Sequence, residues 1–296
     1  MKVSVVTDEL SGDFDTALEL AVEMGFEGIE IRGVGETRFP RVTDLMQQAV
    51  PQLCKEYGLP VVSLSPGLFK IPYPQPIADD ARALRWDQRL AFDEHQSAIE
   101  SLRIHADELL PATINAALAL SCPLVNVFSF DRGDADPDSR IPSEVVESLK
   151  QAARQAAHAG IILSIENEAT CWASTSAKAA ELVEMISEPN VGITWDPANA
   201  FRVGEDEAFP TGYARVRPHV RHVHFKNARI DPRSGDRRFS FEGVIDWHGQ
   251  LAALEKDGYR GFISVETHAR PKIKTTRNYL AQLRSLARAG RTSEAV

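Results

Sequence analysis

Leu163-Ser164-Ile165-Glu166-Asn167-Glu168 decides how this chain is read. An apolar, strand-like run from Ile161 to Ile165 delivers a carboxylate at its end. The same construction recurs in Val191-Gly192-Ile193-Thr194-Trp195-Asp196, in Val220-Arg221-His222-Val223-His224 and in Phe262-Ile263-Ser264-Val265-Glu266. Side chains alternate faces along a strand, so residues two apart share a face. Ser164 with Glu166, Thr194 with Asp196, His222 with His224 and Ser264 with Glu266 are therefore four pairs in matching phase. The end groups are spaced roughly 30 to 40 residues apart, about one strand-plus-helix unit of an eight-fold barrel. That spacing predicts four oxygen and nitrogen donors converging at one end of a parallel sheet.

Working outward, the rest of the chain repeats the unit. Strands are predicted at Lys2 to Thr7, Gly28 to Arg32, Val61 to Ser65 and Leu124 to Phe128, ahead of the four already quoted. Helical spacing runs from Asp13 to Met24, Val42 to Tyr57, Ala81 to Ser121 with a break near Pro111, and Ser143 to His158 with Ser143 as its cap. It resumes from Ser176 to Ile186, capped by Ser176, then from Ile245 to Lys256 and from Thr275 to Ala289. Pro66 to Pro76 and the basic stretch Arg229 to Phe241 read as loops, the first placed to choose the substrate. Eight alternations without a composition break predict a single-domain α/β protein spanning 1–296, a (β/α)8 TIM barrel.

A chain of 296 residues, 43% hydrophobic and 25% charged, can bury a full core. Its formal net charge of -9 opposes a phosphate backbone, so no nucleic-acid partner is expected. Three widely spaced cysteines, Cys54, Cys122 and Cys171, without a CxxC pair fit a reducing compartment. The opening strand-like run is neither a leader nor a membrane span, which points to a cytoplasmic protein with no membrane partner. A homo-oligomer is compatible with the sequence, which does not specify one.

Five runs carry a resemblance: Ser164-Ile165-Glu166-Asn167, Trp195-Asp196-Pro197-Ala198-Asn199, His222-Val223-His224-Phe225-Lys226-Asn227, Gly243-Val244-Ile245-Asp246-Trp247 and Gly258 to Glu266. Together they resemble the xylose-isomerase-like superfamily of sugar phosphate isomerases and epimerases, over nearly the whole chain. The resemblance implies one divalent metal held by Glu166, Asp196, His224 and Glu266. Two positions depart from the family pattern. Asn199 stands where a His is common and Asn227 where an Asp is common, and Asn cannot shuttle a proton as imidazole can.

Taken singly, a strand-end carboxylate is more often a helix cap or a loop ion pair than a ligand. Four donors in one phase converge on one barrel mouth, where unpaired carboxylates repel one another and a cation is the simplest remedy. Three carboxylates and an imidazole suit Mn2+ or Mg2+, with Co2+ or Zn2+ also compatible. Such an ion chelates a carbonyl and its neighbouring hydroxyl, and Glu166 or Glu266 is placed to act as the catalytic base.

The leading expectation is therefore an isomerase or epimerase of a keto-sugar or related hydroxy-ketone, working through a metal-bound enediolate on a small carbohydrate substrate. The alternative is a lyase or dehydratase that loses a β leaving group from the same intermediate. A DNA-repair endonuclease of related fold and a non-catalytic metal-binding subunit rank below both. Asn199, Lys226, Glu30, Phe69 and His268 are the expected substrate contacts, with Phe69 and Tyr73 able to cover a sugar face. Glu30 and Arg32 are alternatively a mutual ion pair, and His222 a hydrogen-bonded core histidine. Glu168 reads equally as a second acid or as a loop carboxylate facing solvent, and Arg233, Arg237 and Arg238 read as a solvated loop, with the holding of an anionic substrate group as the lesser alternative. Trp86, Trp172 and Trp195 could pack or stack on a sugar. No Gly-rich phosphate loop follows the seventh or eighth strand.

Overall fold

The computed structural model describes residues 1–74 and 96–293. Eight parallel strands form a closed barrel: β1 (Lys2–Val6), β2 (Gly28–Ile31), β3 (Val61–Leu68), β4 (Leu124–Val127), β5 (Ile162–Glu166), β6 (Val191–Trp195), β7 (Val220–Phe225) and β8 (Phe262–Val265). Each strand hydrogen-bonds to its neighbours in sequence, and β8 closes on β1 with Ser4 opposite Ser264. The expected (β/α)8 TIM barrel is the fold observed. Helices lie between the strands, including α1 (Phe14–Met24), α2 (Asp44–Glu56), α3 (Leu110–Ala119), α4 (Ser143–Ala157), α5 (Ser176–Ile186), α6 (Pro197–Val203), α7 (Tyr213–Val216), α8 (Trp247–Lys256) and α9 (Lys272–Ser293).

Strand parity explains where the core sits. Residues such as Ile29, Val125, Leu163, Ile193, Val223 and Ile263 occupy one phase of the strands and are buried. They belong to the hydrophobic cluster shared with the helices, each burial contributing about 1.5–3 kcal/mol. The opposite phase carries Ser4, Glu30, Ser63, Asn126, Ser164, Thr194, His222 and Ser264, all buried and all polar. Barrel interiors are usually filled by branched apolar side chains. Here the interior is a hydrogen-bonded column: Ser4 Oγ lies 2.8 Å from Ser264 Oγ, and Thr194 Oγ1 donates to Ser164 Oγ at 2.7 Å.

Local chemistry sets several helix ends. Asp13 caps α1 by accepting from the Thr16 amide, and Gly25 closes it at φ 77°, a left-handed conformation that favours glycine. Two expected caps shift by one residue. The α4 cap is Pro142, not Ser143, whose hydroxyl donates to Glu144 instead. Thr175, not Ser176, caps α5, because Thr175 is the residue still in extended backbone and its Oγ1 reaches the Lys178 amide.

The irregularity expected near Pro111 comes before it, as a π-helical stretch Ile104–Leu109 leading into α3. Proline removes an amide and crowds the preceding turn, so the widening falls upstream. The start of the predicted Ala81 to Ser121 helix, with Trp86, lies outside the described residues. Two further corrections concern loops. Strand β3 continues through Pro66 and Gly67 to Leu68, and the basic stretch after β7 folds as an antiparallel hairpin of Ala228–Ile230 with Arg237–Phe239.

Candidate active site at the strand ends

Glu166 ends β5, Asp196 follows β6 as the cap of α6, His224 lies in β7 and Glu266 follows β8. The shared inward phase and parallel register bring one ligand atom from each within 4.8 Å of the others. Asp196 is 0% exposed, His224 1%, and both glutamates 4%, so the four groups have little water to screen them.

Each is held from behind. Asp196 Oδ1 accepts from the Ala198 and Asn199 amides at 2.9 Å, while its backbone amide donates to Asn167 Oδ1 at 2.8 Å. Glu166 accepts from Asn126 Nδ2 at 2.7 Å and from Asn199 Nδ2 at 3.1 Å. Glu266 is bound by Arg32, by Lys226 Nζ at 2.5 Å and by His268 Nε2 at 3.0 Å. His224 Nδ1 lies 3.2 Å from both glutamates, and its Nε2 lies 3.1 Å from Glu30 Oε2.

Electrostatics separates the acids. Burial pushes Asp196 up to about 6, against the pull of Lys226. Burial also opposes ionisation of Glu266, but Lys226, His268, His224 and Arg32 overcome it and hold the carboxyl well below its usual range. Glu166 is lowered as well, its burial cost outweighed chiefly by His224. For His224 burial disfavours the cation, yet Glu30, Glu166 and Glu266 raise it well above the usual histidine value.

These residues fit a divalent cation. Three carboxylates and an imidazole nitrogen point at one small volume, a donor set of the hard type. Asp196 Oδ2 is buried there without a hydrogen bond of acceptable geometry, although the Lys226 ammonium lies 2.6 Å away. A second group, Glu30, His222 and His224, also clusters within ligand distance, but it shares His224 and lies one residue pair deeper in the barrel.

Other expected site residues are placed as follows. Lys226 is buried among Asp196, Glu266 and the Phe239 ring, 4.8 Å from its centroid. His268 stacks on Phe239 with centroids 5.1 Å apart. Asn199 touches Glu166, so it supports the cluster directly. Glu30 neither pairs with Arg32 nor reaches the mouth; it bonds His222 and His224, and His222 is the hydrogen-bonded core histidine expected.

Phe69 is not brought to the cluster. It is 1% exposed and packs on Phe130 and His105, and Tyr73 packs edge-on against Phe130. Trp195 is in the core with Nε1 bonded to Gln250, and Trp172 is buried. Glu168 pairs with Lys70, while Arg237 and Arg238 pair with Asp206 and Asp231.

Sequence reasoning overlooked Arg32 as the partner of Glu266, Asn126 as the support of Glu166, and Phe239. Asn126 was legible, because a polar residue inside Leu124-Val125-Asn126-Val127 occupies the inward phase. Phe239 was not, since it arrives on a hairpin far from the strand ends in sequence.

Residues 18–289 match the family described as the xylose isomerase-like TIM barrel. The chain belongs to this family. Among curated proteins it is 25% identical over 173 residues to SgbU of Escherichia coli K12, provisionally named an L-ribulose-5-phosphate 3-epimerase. That match covers 56% of this chain and 59% of the relative, so the chain spans under two thirds of its length.

Among solved structures, D-allulose 3-epimerase from Methylomonas sp., in complex with D-allulose, superposes with a TM-score of 0.70 at 17% identity, covering 96% of each chain. The probable 3-DHS dehydratase AsbF of Bacillus anthracis gives 0.66 at 18%, covering 96% of this chain and 99% of its own. A xylose isomerase-like protein of Mycobacterium smegmatis in complex with magnesium gives 0.64 at 15%, covering 94% and 89%. At these identities the structural likeness concerns the fold. Among the described residues no helix is long and apolar enough to cross a membrane.

Proposed function

We propose that this protein is a divalent-metal-dependent epimerase or isomerase of a keto-sugar or related hydroxy-ketone. The observation that carries the reading is the convergence of Glu166, Asp196, His224 and Glu266 within 4.8 Å, buried at the C-terminal mouth of the barrel. The names of the E. coli relative and of the allulose epimerase point the same way, and the magnesium complex of a relative of like fold supports a metal.

Glu166, Asp196, His224 and Glu266 would hold the ion. When bound, it supplies Lewis-acid polarisation of a carbonyl and its neighbouring hydroxyl. Glu166 and Glu266 come from different strands, each with an oxygen 3.2 Å from His224 Nδ1, and in this reading they act on opposite faces of the substrate carbon. One removes the proton next to the carbonyl; delivery from the other inverts that carbon, which is epimerisation. Return of the proton to the adjacent carbon gives aldose–ketose isomerisation. Lys226, confined by Asp196 and Glu266, donates to a substrate oxygen, and Phe239 with His268 closes one wall.

Asn199 favours a second reading, a dehydratase. An amide at that position holds Glu166 but cannot shuttle a proton as imidazole can, so the return of a proton to carbon that epimerisation needs is the step it weakens, and a probable dehydratase shares this fold. The test is a panel of ketoses and keto-polyols followed by NMR with the metal-loaded protein. Epimeric or isomeric product supports the first reading; loss of water supports the second. Turnover that persists undiminished in Glu166→Gln combined with His224→Ala, after metal is lost, would sink both.

A further inference from the structure

Cations near the cluster fall into two sets. Arg32 is neutralised by Asp8, Glu9 and Glu266; Lys226 by Asp196 and Glu266; and Lys70 by Glu168. Arg38 and Arg41, on the segment after β2, have no carboxylate partner among the described residues. Arg38 Nη1 donates to the Ser65 carbonyl and Arg41 Nη2 to the Pro66 carbonyl, each at 3.4 Å. A guanidinium has five N–H donors, so most of each fork is unused.

Their position is built. Phe39, between them, is 1% exposed and anchors the segment in the core. The β3–β4 register shifts between Leu64 and Leu68, where Gly67 has φ 80°. A Cβ on Gly67 would come 3.1 Å from Arg38 Nη1 and 3.2 Å from its Cδ, so the glycine leaves the space in which the arginine lies. Ser65, whose carbonyl Arg38 touches, accepts through Oγ from Asn126 Nδ2, which also donates to Glu166 Oε2 at 2.7 Å. Arg38 is thus two hydrogen-bonded residues away from a proposed ligand.

We propose that Arg38 and Arg41 form an oxyanion-binding rim beside the four-donor cluster, so the ketose substrate carries a phosphate ester or a carboxylate. This rests on the reading of the site as a ketose epimerase or isomerase. Arginine forks match phosphate and carboxylate oxygens in pairs; Arg38 is half-buried, which strengthens its contact, while Arg41 is exposed at the outer edge. Burial and the charge of Arg32 disfavour the Arg38 cation, with Glu166, Asp8 and Glu266 opposing; an arriving anion offsets that cost. No Gly-rich phosphate loop is needed, because the two arginines supply the charge.

Two measurements on the metal-loaded protein test this. Inorganic phosphate is titrated calorimetrically into the native chain and into Arg38→Gln combined with Arg41→Gln; phosphate on the ion itself is common to both, so the difference reports the rim. Turnover is then compared for a neutral ketose, its terminal phosphate and a keto-acid of the same length. Phosphate affinity and the preference for an anionic over the neutral ketose should each fall about 10- to 100-fold in the double variant. Whichever anionic compound loses more identifies the source of the oxyanion.

Equal phosphate affinity in both proteins, or a native preference for the neutral ketose unchanged by the substitutions, overturns the rim and leaves the epimerase reading standing. Phosphate binding lost in the variant, with no ketose turned over by the native protein, keeps the rim and overturns the epimerase reading.

Discussion

Glu30 accepts from His224 Nε2 at 3.1 Å, which turns the other ring nitrogen toward Glu166 and Glu266. Glu30 is an ionised acceptor, because the charges of His224 and His222 outweigh its burial and lower its pKa. A carboxylate can only accept, so Nε2 carries a proton and Nδ1 is the atom available to a metal. Truncation to Glu30→Ala is expected to weaken metal affinity about 10- to 100-fold, and Glu30→Gln less, since its amide oxygen still accepts. Competition with a chelator measures both, and equal affinities in all three proteins would remove Glu30 from the site.

Metal affinity should climb with pH. Asp196, pushed up to about 6 by burial, and His224, raised by its three carboxylates, hold protons that an ion must displace. Each released proton adds up to about tenfold affinity per pH unit, mostly between about pH 5 and 7 for Asp196. For the metal-free chain the sign reverses. A folded pKa above the unfolded value gives stability that is full below the ordinary aspartate pKa and is lost as pH rises through about 6. Isothermal titrations at several pH values test this; a flat profile would show that Asp196 is already ionised or is not a ligand.

The barrel and the four-donor cluster were legible because both follow from period-two phase. Once Ser164-Ile165-Glu166 is a strand, Glu166 must face the same way as Ser164, and the parallel register repeats that for Asp196, His224 and Glu266. Positions governed by long-range pairing were not legible. Arg32 lies two residues after Glu30 in matching phase, but it reaches Asp8, Glu9 and Glu266, while Glu30 turns to two histidines. Phe69 falls in Pro66 to Pro76, a stretch rich in Pro and aromatics without periodicity, which reads as a loop. A register shift lets β3 run through Pro66 and Gly67 and carry Phe69 into the core.

That placement changes what Phe69→Ala should do. The ring lies 5.1 Å from Phe130 and 6.1 Å from His105, and the Phe69 amide donates to His105 Nδ1 at 2.8 Å. Removing a fully buried phenyl ring leaves a cavity, so a loss of about 3–5 kcal/mol is expected by denaturant unfolding. Substrate preference should not move. A change of preferred sugar at native-like stability would restore the ring to a role at the mouth.

The two candidate bases differ in what surrounds them. Glu266 is held by Arg32, Lys226 and His268 as well as His224, a concentration of positive charge that lowers its basicity, whereas Glu166 has His224 as its chief cationic neighbour and is otherwise held by the neutral amides of Asn126 and Asn199. Glu166 should therefore be the stronger proton acceptor, and Glu266 the group that returns a proton or orients the substrate. Incubating a reactive ketose in deuterated water reads the first step before any product is known. Native protein should label the carbon next to the carbonyl. Glu166→Gln should slow labelling about 100- to 10,000-fold, while Glu266→Gln should suppress epimer formation more than labelling. Metal content must be measured alongside, because both are proposed ligands and loss of the ion would imitate loss of the base. Turnover without solvent label in the native protein would replace proton abstraction by a hydride shift or a shielded return, with both carboxylates left only to hold the ion.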